Sequence, residues 1–315
     1  SRLGFARLVG PTELTLNSSD LDAVRSLRRV VAASSSLTVP ARRPRELLET
    51  SVQQRLGELL EDIRRQRPRL RFHGLRLEAA GAHTPDMRRL AAAMADLAGV
   101  PVDEEGDLVV RVRRGAPPGT WQVLLRTTPR PLSTRAWRTV DYPGAVNATI
   151  AATVLDQLEV GPEDSVLDMT CGSGTFLVEQ LHVEAPARAV GVDLDPSAID
   201  AARAHQRAAR RKGQVEWVAA DVLEAPLEPG FTRLLTNPPW GTLHGEHDSN
   251  EQLLADLLRR AAELAAPEAR LGVLTHEITR MHRVLEEAAS GWRLLREHRF
   301  FQKGHHPRLF LLERG

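Results

Sequence analysis

The chain has 315 residues, 42% apolar and 26% charged, which is ordinary for a globular protein with material for roughly two or three domains. No apolar run approaches the ~18 residues of a membrane span, and the N-terminus has no basic, apolar and small-residue leader pattern. A single cysteine, Cys171, excludes an internal disulfide and a Cys-based zinc site. The net charge of +1 hides a division: residues 1–140 hold 24 Arg against 15 Asp and Glu, net +9, and residues 141–315 carry net −8. A basic half of this kind fits a polyanionic partner.

In chain order, 18–31 reads as a capped helix. Residues 44–65 form a longer one, with Leu47, Leu48, Val52, Leu56, Leu59 and Leu60 on one face. Alternation predicts a strand over 70–80, with Leu75 and Leu77 on one side. Thr84-Pro85 opens a helix to about Leu97, closed by Gly99. Two further strands are expected over 108–112 and 121–127, joined by a turn at 116–119. This first half is a small α+β pattern. From Thr128 the segment TPRPLSTRAWRTVDYPG, rich in proline and arginine, reads as a linker.

The second half becomes regular. Helices are expected over 145–158, 175–182, 197–211 and 251–265, between strands at 165–169, 189–194, 215–220, 233–236 and 271–275. Such alternation implies a doubly wound parallel sheet. Residues 292–301 and 308–313 pair as a closing antiparallel hairpin.

Four signals fall at the carboxyl ends of successive strands, where open α/β sheets bind ligands. The first is DMTCGSGT (168–175), whose small residues let backbone amides approach a ligand at a helix N-terminus. Leu177 stands where the dinucleotide fingerprint has its third glycine, which disfavours a pyrophosphate. The loop could also serve merely to turn the chain. Asp193 in GVDLD stands where an acid would accept from ribose hydroxyls, and Asp221 in AADV could approach an adenine amino group. Either could equally be a strand-end acid or a helix cap, and Asp195 before Pro196 suits a cap. The fourth is NPPWG (237–241), a stiff turn presenting an amide and an aromatic ring.

In this order and spacing the four motifs resemble the class I S-adenosylmethionine-dependent methyltransferases that modify exocyclic amino groups of nucleobases. The resemblance implies an α/β, Rossmann-like seven-stranded sheet. It places Asp168, Thr170, Cys171, Gly172, Gly174, Thr175, Asp193, Leu194, Asp221, Val222 and Asn237 around S-adenosyl-L-methionine. Catalysis falls to Asn237, Pro238, Pro239 and Trp240, the ring stacking on the base. The arginine-rich N-terminal half, with RFHGLRLEA (71–79) and RPLSTRAWR (130–138), resembles the THUMP RNA-binding domain behind an abbreviated ferredoxin-like segment. The implied domains are a ferredoxin-like segment at 1–42, THUMP at 43–128, a linker at 129–143 and the methyltransferase domain at 144–315. Arg135 and Arg138 are expected to touch RNA. Proteins of this build are RNA-modifying enzymes, and the likeness extends to those forming N2-methylguanosine at position 6 of the tRNA acceptor stem. Ribosomal RNA is the alternative substrate. A DNA or protein amino-group methyltransferase, or a non-catalytic RNA-binding module on this scaffold, are further rivals.

His244, His247, His305 and His306 lack a carboxylate or cysteine at a recognisable metal spacing, so no metal is expected. Cys171 reads as a small packing residue rather than a nucleophile. The expected protein is a cytoplasmic monomer, away from membranes and with no protein partner, and its start at Ser1 is read as lacking the native N-terminus.

Overall fold

The computed structural model describes residues 6–10, 13–16, 20–66, 68–239, 247–286, 291–301 and 306–315. The chain divides into two compact units, Ser1–Thr134 and Arg135–Gly315.

In the N-terminal unit, β1 (Ala6–Gly10) and β2 (Glu13–Leu16) form an antiparallel hairpin that the sequence pattern does not announce. The helix expected over 18–31 is only α1 (Leu21–Arg25). Asp20 caps it by accepting from the Ala23 amide, and Ser26 closes it. The chain then enters β3 (Ser34–Pro40), also unforeseen, in which Leu37 and Val39 turn inward while the residues on either side of each stay outside the core. The helix expected over 44–65 is interrupted. A 3-10 turn at Pro44–Leu48 ends at Glu49, whose extended backbone restarts the chain as α2 (Thr50–Gln66). Its apolar stripe survives, with Val52, Leu56 and Leu60 buried and Leu59 partly so.

The strand read from residue 70 begins only at β4 (Leu75–Ala79). Ahead of it the Asp107 carboxylate accepts from the His73 amide, holding the backbone away from ladder pairing. The helix α3 (Pro85–Ala98) ends at Gly99 in the left-handed region (φ 65°), as the sequence predicts. Strands β5 (Leu108–Arg114) and β6 (Thr120–Arg126) complete a sheet ordered β3-β6-β5-β4, parallel only between β4 and β5. Leu47, Leu56, Leu60 and Ile63 pack with Leu90 and Met94 against Leu75, Leu108, Val110 and Val123 in one core.

The C-terminal unit is the doubly wound sheet. Its elements are α4 (Ala148–Gln157), β7 (Ser165–Asp168), α5 (Thr175–Val183), β8 (Arg188–Asp193), α6 (Pro196–Ala209), β9 (Glu216–Ala219), β10 (Phe231–Thr236), α7 (His247–Leu264), β11 (Ala265–Thr275), α8 (Ile278–Glu286), β12 (Trp292–Arg299) and β13 (Arg308–Arg314). The sheet order is β12-β13-β11-β10-β7-β8-β9, with β13 antiparallel to both neighbours and the five strands from β11 to β9 mutually parallel. This is the Rossmann-like, mixed seven-stranded arrangement.

Alternation within each strand feeds two cores. Val166 of β7 joins α4, α5 and α6 on one face, and Leu167 joins α7 and α8 on the other. The helix α8 has no counterpart among the helices expected from the sequence. Met281 and Val284 are buried, with Ile278 and Leu285 partly so, an apolar face at helical spacing that the sequence reading passed over.

The segment read as a linker is partly built into this unit. Trp137 is 3% exposed within the α4–α6 core, and its indole N–H donates to Glu179 (3.2 Å). Arg135 donates from Nε and Nη2 to the same buried carboxylate at 2.9 and 3.2 Å. His205, also buried, meets the Ser173 carbonyl through Nδ1 (2.9 Å) and the Val140 backbone through Nε2 (3.1 Å). The residues after Thr134 are thereby tied to α5, to α6 and to the loop after β7.

Candidate active site

At the carboxyl edge of the parallel strands lies a cavity of about 610 Å³, well within the size range of small-ligand sites. Thr170, Cys171, Gly172, Thr175, Asp193, Leu194, Asp221, Val222 and Asn237 line it, together with Pro238 and Pro239. The four motifs therefore meet in one place. Trp240 lies outside the described residues, as do His244, His305 and the side chain of His247.

The loop from 168 to 175 is held on three sides. The Met169 amide donates to the Leu235 carbonyl (2.9 Å) and the Cys171 amide to the Val192 carbonyl (2.8 Å), clamping it between β10 and β8. The Gly172 amide donates to Asp193 Oδ2 (2.7 Å) with Gly172 at φ 50°, while Asp193 Oδ1 accepts from the Asp195 amide (3.0 Å). The Asp193 carboxylate is therefore fixed at the cavity wall by backbone donors. Gly174 has a different purpose from the one expected of it. It does not line the cavity, and a Cβ there would stand 2.5 Å from the Trp217 ring and 2.9 Å from Ala202. Its missing side chain lets α5 start close against α6 and β9.

Asp168 lies outside the cavity lining and is fully buried, and among the described residues neither carboxylate oxygen makes a well-formed hydrogen bond, the Thr170 amide being the donor that comes near. Burial, and secondarily the Asp193 charge, hold its carboxyl well above the usual carboxylate range, with the Thr170 amide alone opposing. A buried orphan acid beside a ligand cavity fits a cationic group. Burial likewise pushes the Cys171 thiol up, helped by the charges of Asp168 and Asp193, so the thiol stays neutral and packs.

Strand β10 ends in the Asn-Pro-Pro tip. Thr170 Oγ1 accepts from the Asn237 amide (3.1 Å) and shares a hydrogen bond with Thr236 Oγ1 (2.9 Å), so the cofactor loop and the tip are bolted together. Pro238 is buried and Pro239 exposed, and neither brings a backbone donor.

Sequence reasoning missed the wall contributed by Tyr142, Pro143, Gly144, Ala145 and Val146. The Tyr142 hydroxyl donates to Asp195 Oδ2 (3.2 Å). Burial first, then the Asp193 charge and the Asp195 bond, push its pKa up to about 12. The signal was the aromatic residue in DYPG just ahead of a helix, hidden because proline and glycine read as linker. Arg135 and Arg138, expected at an RNA surface, instead point inward. The Arg135 side chain is 7% exposed against Glu179, and Arg138 Nη2 donates to the Val146 carbonyl and Thr175 Oγ1 at 2.9 Å. Both guanidinium groups brace the cavity, which sets the expectation of RNA contact aside.

A seven-stranded sheet with its glycine loop, paired strand-end acids and proline-stiffened amide around one cavity defines a Rossmann-like methyltransferase. The chain belongs to the RMKL-like methyltransferase-domain family, whose model matches residues 135–308. The cofactor is S-adenosylmethionine, and the Asp193 carboxylate, fixed at the cavity wall, offers acceptors to a ligand there.

Among solved structures, that of TrmN from Thermus thermophilus is 25% identical, covers 93% of this chain and 86% of its own, and superposes with a TM-score of 0.70. A possible methylase from Clostridium difficile 630 shares the fold at 14% identity and a TM-score of 0.70, covering 98% and 92% of the two chains. Among curated relatives, the tRNA (guanine(6)-N2)-methyltransferase of Methanocaldococcus jannaschii is 23% identical over 46% of this chain and 48% of its own length. The ribosomal RNA large subunit methyltransferase G of Alteromonas mediterranea is 25% identical over 46% and 36%. The matches span about half or less of these curated relatives. Among the described residues no helix is long and apolar enough to cross a membrane.

Proposed function

We propose that the protein transfers a methyl group from S-adenosylmethionine to the exocyclic N2 amine of a guanosine in tRNA, guanosine 6 of the acceptor stem. The observation that carries this reading is the Asn237-Pro238-Pro239 tip opening into the same cavity as the cofactor loop. Support for the tRNA guanine assignment comes from the M. jannaschii relative, and the T. thermophilus TrmN structure shares the fold along most of both chains.

An amine conjugated with a purine ring is a poor nucleophile, because its lone pair is delocalised. Accepting both amine hydrogens, at Asn237 Oδ1 and the Pro238 carbonyl, favours a pyramidal nitrogen with its lone pair directed into the cavity. The bound cofactor supplies an electrophilic methyl group on a sulfonium. Held by the residues of the glycine loop and the two strand-end acids, the cofactor would supply that methyl group to the nitrogen presented by Asn237 and Pro238, and the methylated nitrogen, now acidic, would lose its proton to solvent. The prolines keep the two acceptors from relaxing, and Trp240 provides the stacking face by the family resemblance. Thr170, Cys171, Gly172, Thr175, Asp193, Leu194, Asp221 and Val222 hold the cofactor, with Asp168 buried behind the loop and Gly174 setting the start of α5. A base inside a stem must also be flipped out.

The N-terminal unit is the RNA-binding half of this proposal. Its helix-helix-strand-helix-strand-strand order from Pro44 to Arg126 fits a THUMP domain, and its excess of arginine suits a phosphate backbone.

Transfer of labelled methyl from S-adenosylmethionine into tRNA, followed by nucleoside analysis, tests the reading. N2-methylguanosine at position 6 is the expected product. Label in ribosomal RNA would move the substrate there, and label in no RNA would end the proposal. Asn237→Ala should lower kcat by about 100-fold or more while cofactor still binds.

A further inference from the structure

We infer that Phe301, Arg299 and His306, at the outer end of the closing hairpin, form a second base-binding platform that takes an unpaired nucleotide next to the target. The inference rests on the RNA methyltransferase reading above.

Phe300 packs its ring partly into the core of the C-terminal unit, and its amide donates to the Pro307 carbonyl (2.9 Å). Phe301 is left 59% exposed, a large aromatic displayed from an anchored backbone. His306 meets it edge to face with ring centroids 5.5 Å apart, and the Arg299 guanidinium lies over the ring at 5.3 Å. An aromatic face beside a cation is the combination that holds single-stranded nucleic acid, one part for the base and the other for its phosphate.

Register puts the platform on the right edge of the sheet. Thr275, which ends β11, pairs with Arg308 of β13, and Arg308 pairs with Arg299 of β12. Thr236, just before Asn237, pairs with Val273 near the same end of β11. Phe301 and the Asn-Pro-Pro tip therefore open at the same edge. Three strand spacings separate β10 from β12, about 14 Å. This is too wide for Phe301 to sandwich the base held at Asn237, and suits a neighbouring nucleotide.

The test uses the full chain and the RNA it methylates, prepared as transcripts carrying one abasic nucleotide at each position within three of the target. With the wild type, one abasic position should weaken binding by about 5- to 100-fold, the effect of one lost stack. Phe301→Ala should weaken the intact RNA by a similar factor, felt more in KM than in kcat. That same abasic position should then cost the variant little. Phe301→Trp should restore binding, and cofactor affinity should not change in either variant. Intact-RNA binding by Phe301→Ala equal to wild type, or an undiminished cost at every abasic position, overturns the platform while leaving the enzyme reading intact. A wild type that neither binds nor methylates RNA removes both.

Discussion

The buried pair of Arg135 and Glu179 offers a quantitative test of how the cofactor cavity is braced. Glu179 is 0% exposed and accepts two hydrogen bonds from Arg135 and one from Trp137. Glu179→Gln keeps the shape and an acceptor for the indole but removes the charge facing a guanidinium whose side chain is 7% exposed. Breaking a buried pair from one side costs about 3–5 kcal/mol, because the remaining charge is stranded. For a unit of this size that corresponds to a fall in Tm of about 6–20 °C. Chemical denaturation and thermal melting followed by tryptophan fluorescence measure it. In an Arg135→Met background the same substitution should cost under about 1 kcal/mol, since no cation is left behind. Cofactor affinity should fall with Glu179→Gln, because residues 142–146 form one wall of the cavity. An equal cost in both backgrounds, or a cost within about 0.5 kcal/mol of zero, would refute the reasoning.

The titrating groups supply further tests. Tyr142 is the only tyrosine in the chain, so phenolate absorbance reports it alone; the midpoint in the folded protein should lie near 12, and one near 10 would mean that the hydroxyl is solvated. A carboxyl with its folded pKa raised favours the fold while protonated, fully so below the unfolded value near 3.8, and loses that contribution as pH climbs through the folded value. Without cofactor the wild type should therefore lose stability relative to Asp168→Asn as pH rises above the unfolded value near 3.8; a stability difference independent of pH would contradict the burial of the acid. Cys171, buried with its pKa raised, should react with a thiol reagent slowly in the folded protein and rapidly in denaturant. Cys171→Ser should retain most of the methyl transfer, and complete loss would restore the nucleophile reading.

What the sequence disclosed depended on how locally each feature is encoded. Strand-end motifs at Asp168, Asp193, Asp221 and Asn237 converge because parallel strands have their carboxyl ends on one edge, so order along the chain becomes proximity in space. The stripe Leu47, Val52, Leu56, Leu60 was legible through its period, even though Glu49 breaks the helix within it. The strand β3 carried its alternation at Leu37 and Val39, but the serines around it read as loop, and only pairing with β6 makes it a strand. Trp137 and Arg135 were misread because their partner, Glu179, lies more than 40 positions away on a helix. No local rule distinguishes an arginine that faces a buried acid from one that faces a phosphate. The role of Gly174 was hidden in the same way, since its neighbour Trp217 is visible only in three dimensions.

The tethering of residues 135–146 means that the polypeptide leaving the first unit is itself a wall of the second. A truncation started at 144, where the proline-rich stretch ends, would discard Tyr142 along with the Trp137 and Arg135 anchors and leave Glu179 facing empty space. The methyltransferase half becomes a transplantable part only when the excision starts upstream of Arg135, and any foreign N-terminal unit has to be joined before that residue.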